Sequence, residues 1–238
     1  MKRIIFFSIM LCAGYITQAQ TPASRFIIGV NGGISSPAGN FSKGEYSNEK
    51  SGYAGTGGNV NLTFTYFLPG NFGFSALIGY SGFGTKHSQS LADGYKEDSG
   101  TDSTTLYAKG TNHSLSFLIG PVYRINAGKK LFIDVRALVG YVNTNLAGFQ
   151  VFYEDYTTNS MTQKESSGGS FGFQGGVAVG YYLTKKLSLQ VNADYFTSKP
   201  KINIRYENFV VNSGRRLTTY NEPVSGVNAT IGLAYTLF

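Results

Sequence analysis

The chain has no tryptophan, one cysteine, six prolines and only 13 acidic residues among 238. It also lacks any apolar run of 18 residues, which excludes a helical membrane protein, since a spanning helix needs roughly 20 such residues. The lone cysteine, Cys12, sits near the N-terminus, so no disulfide and no cysteine chemistry is expected of the rest of the chain. The acids are few and oddly placed. Eleven of the thirteen fall in four stretches: Glu45 and Glu49; Asp93, Glu97, Asp98 and Asp102; Glu154, Asp155 and Glu165; Glu207 and Glu222. Between those stretches lie glycine-rich segments in which apolar residues alternate with small or polar ones. A soluble protein puts charge on the outward faces of its strands, and here those faces carry none. The solvent they predict is lipid.

What is present supports that reading. Met1-Lys2-Arg3, an apolar run from Ile4 to about Ile16 and a small-residue site ending at Ala19 predict a secretory signal peptide over 1–19, with the mature domain over 20–238. Leu11 before Cys12 does not fit a lipobox, so lipidation is not expected. Loss of the leader lowers the formal charge from +7 to +5. That modest charge is spread through loops and turns, so no nucleic-acid partner is expected. The 31 glycines, 18 Phe and 17 Tyr suit β-structure.

Period-two alternation predicts eight strands, over about 25–35, 55–67, 72–84, 111–125, 131–145, 169–183, 187–199 and 224–237. Their connections alternate strictly. Residues 68–71, 126–130 and 184–186 read as tight turns, whereas 36–54, 85–110, 146–168 and 200–223 read as long polar loops. The fold class expected is therefore all-β: an eight-stranded antiparallel up-and-down transmembrane β-barrel, with its termini on the periplasmic side and its long loops outside. A ten-residue span tilted roughly 40° covers about 25 Å, the height of the apolar band of such barrels. Outward aromatics gather at both ends of the strands: Phe26, Tyr66, Phe72, Phe74, Tyr123, Tyr181 and Tyr235 near the turns, and Tyr80, Tyr141, Phe171, Phe173 and Tyr195 near the loops.

On three stretches the chain resembles the small outer-membrane β-barrel domain family, akin to the eight-stranded barrels OmpA and OmpX. They are 26–33, which opens Phe26-Ile27-Ile28-Gly29, 71–80, which opens Asn71-Phe72-Gly73-Phe74, and the ending Ile231-Gly232-Leu233-Ala234-Tyr235-Thr236-Leu237-Phe238. The resemblance implies a cell outer membrane location, with membrane lipid and lipopolysaccharide around the barrel, and assembly by the barrel-assembly machinery through a terminal aromatic. Phe238 departs from that signal, because the apolar face runs through Leu233, Tyr235 and Leu237 and leaves Phe238 out of phase.

Arg124, Asp134, Arg136 and Asp194 share inward parity, which predicts a lumen ion-pair network within a polar core of Asn and Gln side chains. A plugged lumen and a structural or surface-interaction role follow, with a narrow passive pore as the alternative and a lipid-modifying enzyme less favoured. His113 and Ser114 have opposite parity, His87 lies in a loop, and no catalytic residue, cofactor or metal site is expected. The cluster of Asp93, Glu97, Asp98 and Asp102 reads as solvated loop in preference to a Ca²⁺ site. Phe152, Tyr153, Arg205, Arg215 and Arg216 are the expected loop contacts for a surface or periplasmic protein partner.

Overall fold

The computed structural model describes residues 25–48, 50–153, 160–208 and 216–238. The expected leader lies outside them, as do Arg215, Glu49, Glu154 and Asp155. Eight antiparallel strands close a barrel: β1 (Arg25–Pro37), β2 (Ala54–Phe67), β3 (Phe72–Thr85), β5 (Asn112–Ala127), β6 (Leu131–Leu146), β9 (Ser166–Tyr182), β10 (Leu187–Ser198) and β13 (Val224–Thr236). The first and last of them pair, Ile28 opposite Tyr235, so the sheet has no free edge. In lipid that closure is obligatory, because an unpaired backbone group there has no water to satisfy it. No helix among the described residues is long and apolar enough to cross a membrane.

Alternation does the sorting. Along β6, Phe132, Asp134, Arg136 and Leu138 are buried while Leu131, Val135, Ala137 and Val139 are exposed. Ile119 is 60% exposed and Val139 is 55% exposed. In water such a band of large apolar side chains would be an aggregation surface; against hydrocarbon it costs nothing. The aromatics expected at the two edges, from Tyr66 and Phe74 to Tyr80 and Tyr195, are exposed on the same outer face. Phe238 leaves the ladder after Thr236 and stacks on Phe26 with ring centroids 6.1 Å apart. The Phe26 amide donates to the Phe238 carbonyl at 3.1 Å. The terminal aromatic is thus seated on strand β1 instead of continuing the alternation of β13.

Three of the four long connections are not loops. They supply β4 (Thr104–Lys109), β7 (Gly148–Tyr153), β8 (Ser160–Gln163), β11 (Lys201–Asn208) and β12 (Arg216–Asn221), which form an open antiparallel sheet in the order β12-β11-β8-β7-β4. Each of these strands adjoins a barrel strand in sequence, and the order matches that of β13-β10-β9-β6-β5 in the barrel wall. One side of the wall therefore continues past the barrel as a distal sheet. Short breaks mark the junction: Gly110 with φ 88°, Ala147, Lys164 with Glu165, Lys199 with Pro200, and Glu222 with Pro223. Proline and glycine interrupt the ladder there, and the wall can bend.

The distal sheet is amphipathic. Along β11, Ile202 and Ile204 are buried and Lys201, Asn203 and Arg205 are exposed. A helix, α1 (Ser88–Ser99), packs on its inner side. Gly100, at φ 64°, ends α1 by donating its amide to the Lys96 carbonyl at 3.0 Å, the left-handed cap that glycine adopts without strain.

Candidate functional site: buried ion pairs beneath a walled cavity

Two arginine–aspartate forks occupy the lumen. Near the tight turns, Arg124 on β5 donates from Nε and Nη2 to the two Asp134 oxygens on β6, both at 2.7 Å. Its guanidinium lies 3.8 Å from the Phe132 ring centroid and 4.5 Å from that of Phe67, and Nη1 donates to the Tyr182 hydroxyl at 2.8 Å. Half-way up the barrel, Arg136 donates to Asp194 at 2.9 and 2.6 Å. The two residues sit on either side of β9, and the position between them is Gly176. A Cβ at Gly176 would overlap the Asp194 carboxylate, so the glycine is what lets the fork close. All four charged side chains are buried, Asp194 to 1% exposure. Charges this dry must be paired and hydrogen-bonded, and the bidentate geometry does both.

Beyond the upper fork, toward the distal end, Leu77, Leu118, Leu138 and Val142 form one buried cluster. Amides and hydroxyls cross-link the opposite wall, Asn61 to Asn59 at 2.7 Å, Asn59 to Ser81 at 2.8 Å and Asn192 to Asn31 at 3.1 Å. The void beside Arg124, Asp134 and Arg136 measures about 20 Å³, room for about one water. Toward the distal end Phe41, Ala54, Phe83 and Val224 are buried together against Leu146 and Phe196, capping the lumen with an apolar layer.

Above that layer lies a much larger space, a cavity of about 310 Å³. The distal sheet is one wall, contributing Leu106, Phe149, Gln163, Ile204 and Tyr220; α1 and the β1–β2 connection supply Tyr95, Tyr46 and Tyr53 on the other. Tyr46, Tyr95 and Phe149 pack in series, edge-on and then tilted, with ring centroids 5.3 and then 5.9 Å apart. Gly94 in α1 is needed for this, since a Cβ there would overlap the Tyr46 ring. The Tyr46 hydroxyl donates to Asp98, and burial followed by that bond pushes its pKa up. Burial also raises the pKa of Tyr95 and Tyr53, so these phenols stay neutral.

One acid lines the cavity. Glu222 sits between β12 and β13, its amide donating to the Pro200 carbonyl at 3.0 Å. It is 5% exposed and its Oε1 has no hydrogen-bond partner. Burial pushes its pKa from 4.5 up to about 7. By sequence Glu222 belongs to the long polar connection 200–223, yet Ile202, Ile204 and Tyr206 alternate within the same connection. That pattern marks a half-buried strand, hence a walled interior beside it.

Of the expected partner contacts, Phe152 and Arg205 lie on the outer face of the distal sheet. Phe152 faces outward, its ring edge-on to Tyr107 with centroids 5.6 Å apart. Tyr153, one residue on, has the opposite parity and is half-buried. Arg205 is exposed on the outer face of β11, and Arg216 opens β12 opposite Tyr206. His113 lies beside Tyr80, ring centroids 5.8 Å apart, whereas Ser114 is buried and bonded to Thr144. Asp93, Glu97 and Asp98 lie along α1, where Asp93 accepts from Gln89 at 2.8 Å. Among the described residues no three His, Cys, Asp or Glu side chains gather as metal ligands.

A closed eight-stranded antiparallel barrel, apolar outside and ion-paired inside, is an integral outer-membrane β-barrel. The chain belongs to the family of outer membrane proteins with a beta-barrel domain, whose model matches residues 18–145, more than half the chain. No curated protein matches the sequence. Among solved structures it is similar to a major outer membrane protein of Thermus thermophilus, at 13% identity and TM-score 0.50, covering 91% of this chain and 100% of that one. OprG of Pseudomonas aeruginosa matches at 14% identity and TM-score 0.49, covering 92% and 98%. Ail, the attachment invasion locus protein of Yersinia pestis, matches at 15% identity and TM-score 0.44, covering 90% and 97%. The first of these likenesses is one of fold alone.

Proposed function

We propose that the protein is a plugged outer-membrane anchor that holds the distal sheet at the cell surface, in a structural or surface-interaction role. The observation that carries this reading is the sheet itself. Three connections that a bare barrel would leave as loops are built into a five-stranded wall with an amphipathic face. The lumen supports a plugged state, since the void beside the forks takes about one water and Phe41 caps the distal end. A solute pore would need that packing removed.

The leader 1–19 is cleaved after Ala19, and the termini and tight turns face the periplasm. The outer face, with Lys109, Lys201 and Arg205, meets the anionic lipopolysaccharide layer, and Phe152 and Tyr107 give a protein partner an aromatic contact. Insertion proceeds through the barrel-assembly machinery, with Phe238 and Leu237 at the closing strand. The role is non-enzymatic, in keeping with the separation of His113 from Ser114. Planar-bilayer recording tests the plug: the purified barrel yields no steady single-channel current, and sustained unitary currents from the wild type would replace the anchor with a pore.

A further inference from the structure

The distal cavity combines three features that a packing defect would not. It has the volume of a small-ligand pocket, about 310 Å³. Its walls are aromatic, with Tyr46, Tyr53, Tyr95, Phe149 and Tyr220 lining it. Among its described lining residues there is a single formally charged side chain, the buried Glu222, and no Lys, Arg or His. The Oε1 of that carboxyl is shut away from water and accepts from no donor, a costly arrangement unless a ligand supplies one.

The chemistry of that ligand follows by elimination. An anion would meet Glu222 with no compensating cation in the lining. A hard divalent cation wants six or more oxygens with several carboxylates, and the cavity offers one. An organic ammonium satisfies both features: its N–H groups donate to the unpartnered Oε1, and aromatic faces attract its charge while packing its carbon body. We propose that the cavity binds a small organic monocation, a primary ammonium on a compact apolar body, with Glu222 as its counter-ion. This goes beyond the surface role and stands whether or not the outer face docks a partner.

The carboxyl is well placed to act as a fixed anchor. Glu222 lies at the bend between the distal sheet and the barrel wall, held by the hydrogen bond from its backbone N–H to the Pro200 carbonyl and followed by Pro223. The titratable groups facing it across the cavity are tyrosines: Tyr46 and Tyr53 from the β1–β2 connection, Tyr95 from α1, Tyr206 from β11 and Tyr220 from β12. A bound ammonium stabilises the ionised carboxyl, so affinity rises as pH climbs through 7 and levels off above it.

The test uses the full-length barrel refolded in detergent, titrated calorimetrically with 2-phenylethylammonium and with the neutral isostere 2-phenylethanol. The wild type at pH 8 is expected to prefer the amine by about tenfold or more, the worth of a charged hydrogen bond. Glu222→Gln, verified as folded by its heat-dependent gel migration, abolishes that preference by weakening the amine and leaves the alcohol unchanged. Equal binding of amine and alcohol to the wild type overturns the proposal, as does no amine binding at millimolar concentration. That comparison needs no variant and is independent of bilayer conductance, so its failure leaves the plugged-anchor reading standing.

Discussion

The barrel wall and the distal sheet are built from neighbouring pieces of the same strands in the same order, yet their outer faces are opposites. In the barrel, Val135, Val139 and Ile119 point outward and no charge of a described barrel strand has outward parity. A few residues further along, Lys109, Lys201 and Arg205 occupy the equivalent outer positions. The inner faces are reversed as well. The barrel hides its charges as ion pairs, while the distal sheet hides Ile202, Ile204 and Val151. Strand geometry is common to both, so the difference is a record of solvent. The boundary falls at the junction of breaks that includes Gly110, Ala147, Pro200 and Pro223. There the chain can bend, and at Ala147 the alternation changes parity, from inward Val142 and Thr144 on β6 to inward Phe149 and Val151 on β7.

The contrast can be broken most severely from inside. Asp194→Ala leaves Arg136 buried without its fork and should cost the barrel about 3–5 kcal/mol. Urea titration of folding into lipid vesicles measures it, and Arg136→Met combined with Asp194→Leu should recover most of the loss. From outside, Ile119→Arg puts a charge in hydrocarbon and should cost about 2–4 kcal/mol. Asn203→Arg on the outer face of β11 should change stability by less than about 0.5 kcal/mol. Equal costs at the two positions would mean that both faces meet the same solvent.

A third test concerns pH. Glu222 titrates near 7 when folded and near 4.5 when exposed, so the folded distal sheet holds the extra proton between those values. Its stability is complete below 4.5, falls as pH rises through 7, and is flat above. The loss is up to roughly 3 kcal/mol. Hydrogen exchange of β12 and β11 amides at pH 5 and pH 8, after correction for intrinsic rates, reads it out. Glu222→Gln should flatten the dependence without touching barrel amides. The smallest effect is expected at Phe152→Ala, which removes half of an exposed aromatic pair and should shift stability by less than about 0.5 kcal/mol. If the outer face docks a protein, the same change weakens that association far more than it weakens the fold.

The eight barrel strands could be read from residues alone because lipid enforces alternation over ten or more positions without exception. Phe171, Phe173, Val177 and Val179 keep it across β9 despite Gly172, Gly175 and Gly176 between them. The lumen charges were legible for the same reason: a charge inside so strict a pattern can only face inward. The distal sheet was not. Its strands run four to eight residues, water tolerates Lys and Arg on their outer faces, and glycine and proline separate them from the barrel strands. In composition they are indistinguishable from polar loops. Glu222 itself carries no mark in sequence; the hint lies in the alternation of Ile202, Ile204 and Tyr206, and the cavity it lines is walled by residues from all four connections.

Chemical labelling decides between one solvent and two. Cys12 is the only cysteine and lies in the proposed leader, so single cysteines can be introduced without interference. Arg205→Cys and Val139→Cys, expressed separately, are treated on intact cells with a membrane-impermeant maleimide. Residue 205 should label fully, and residue 139 only after the barrel is denatured. Labelling of position 139 on intact cells, or protection of position 205, would contradict the division of this chain into a lipid-facing barrel and a water-facing sheet.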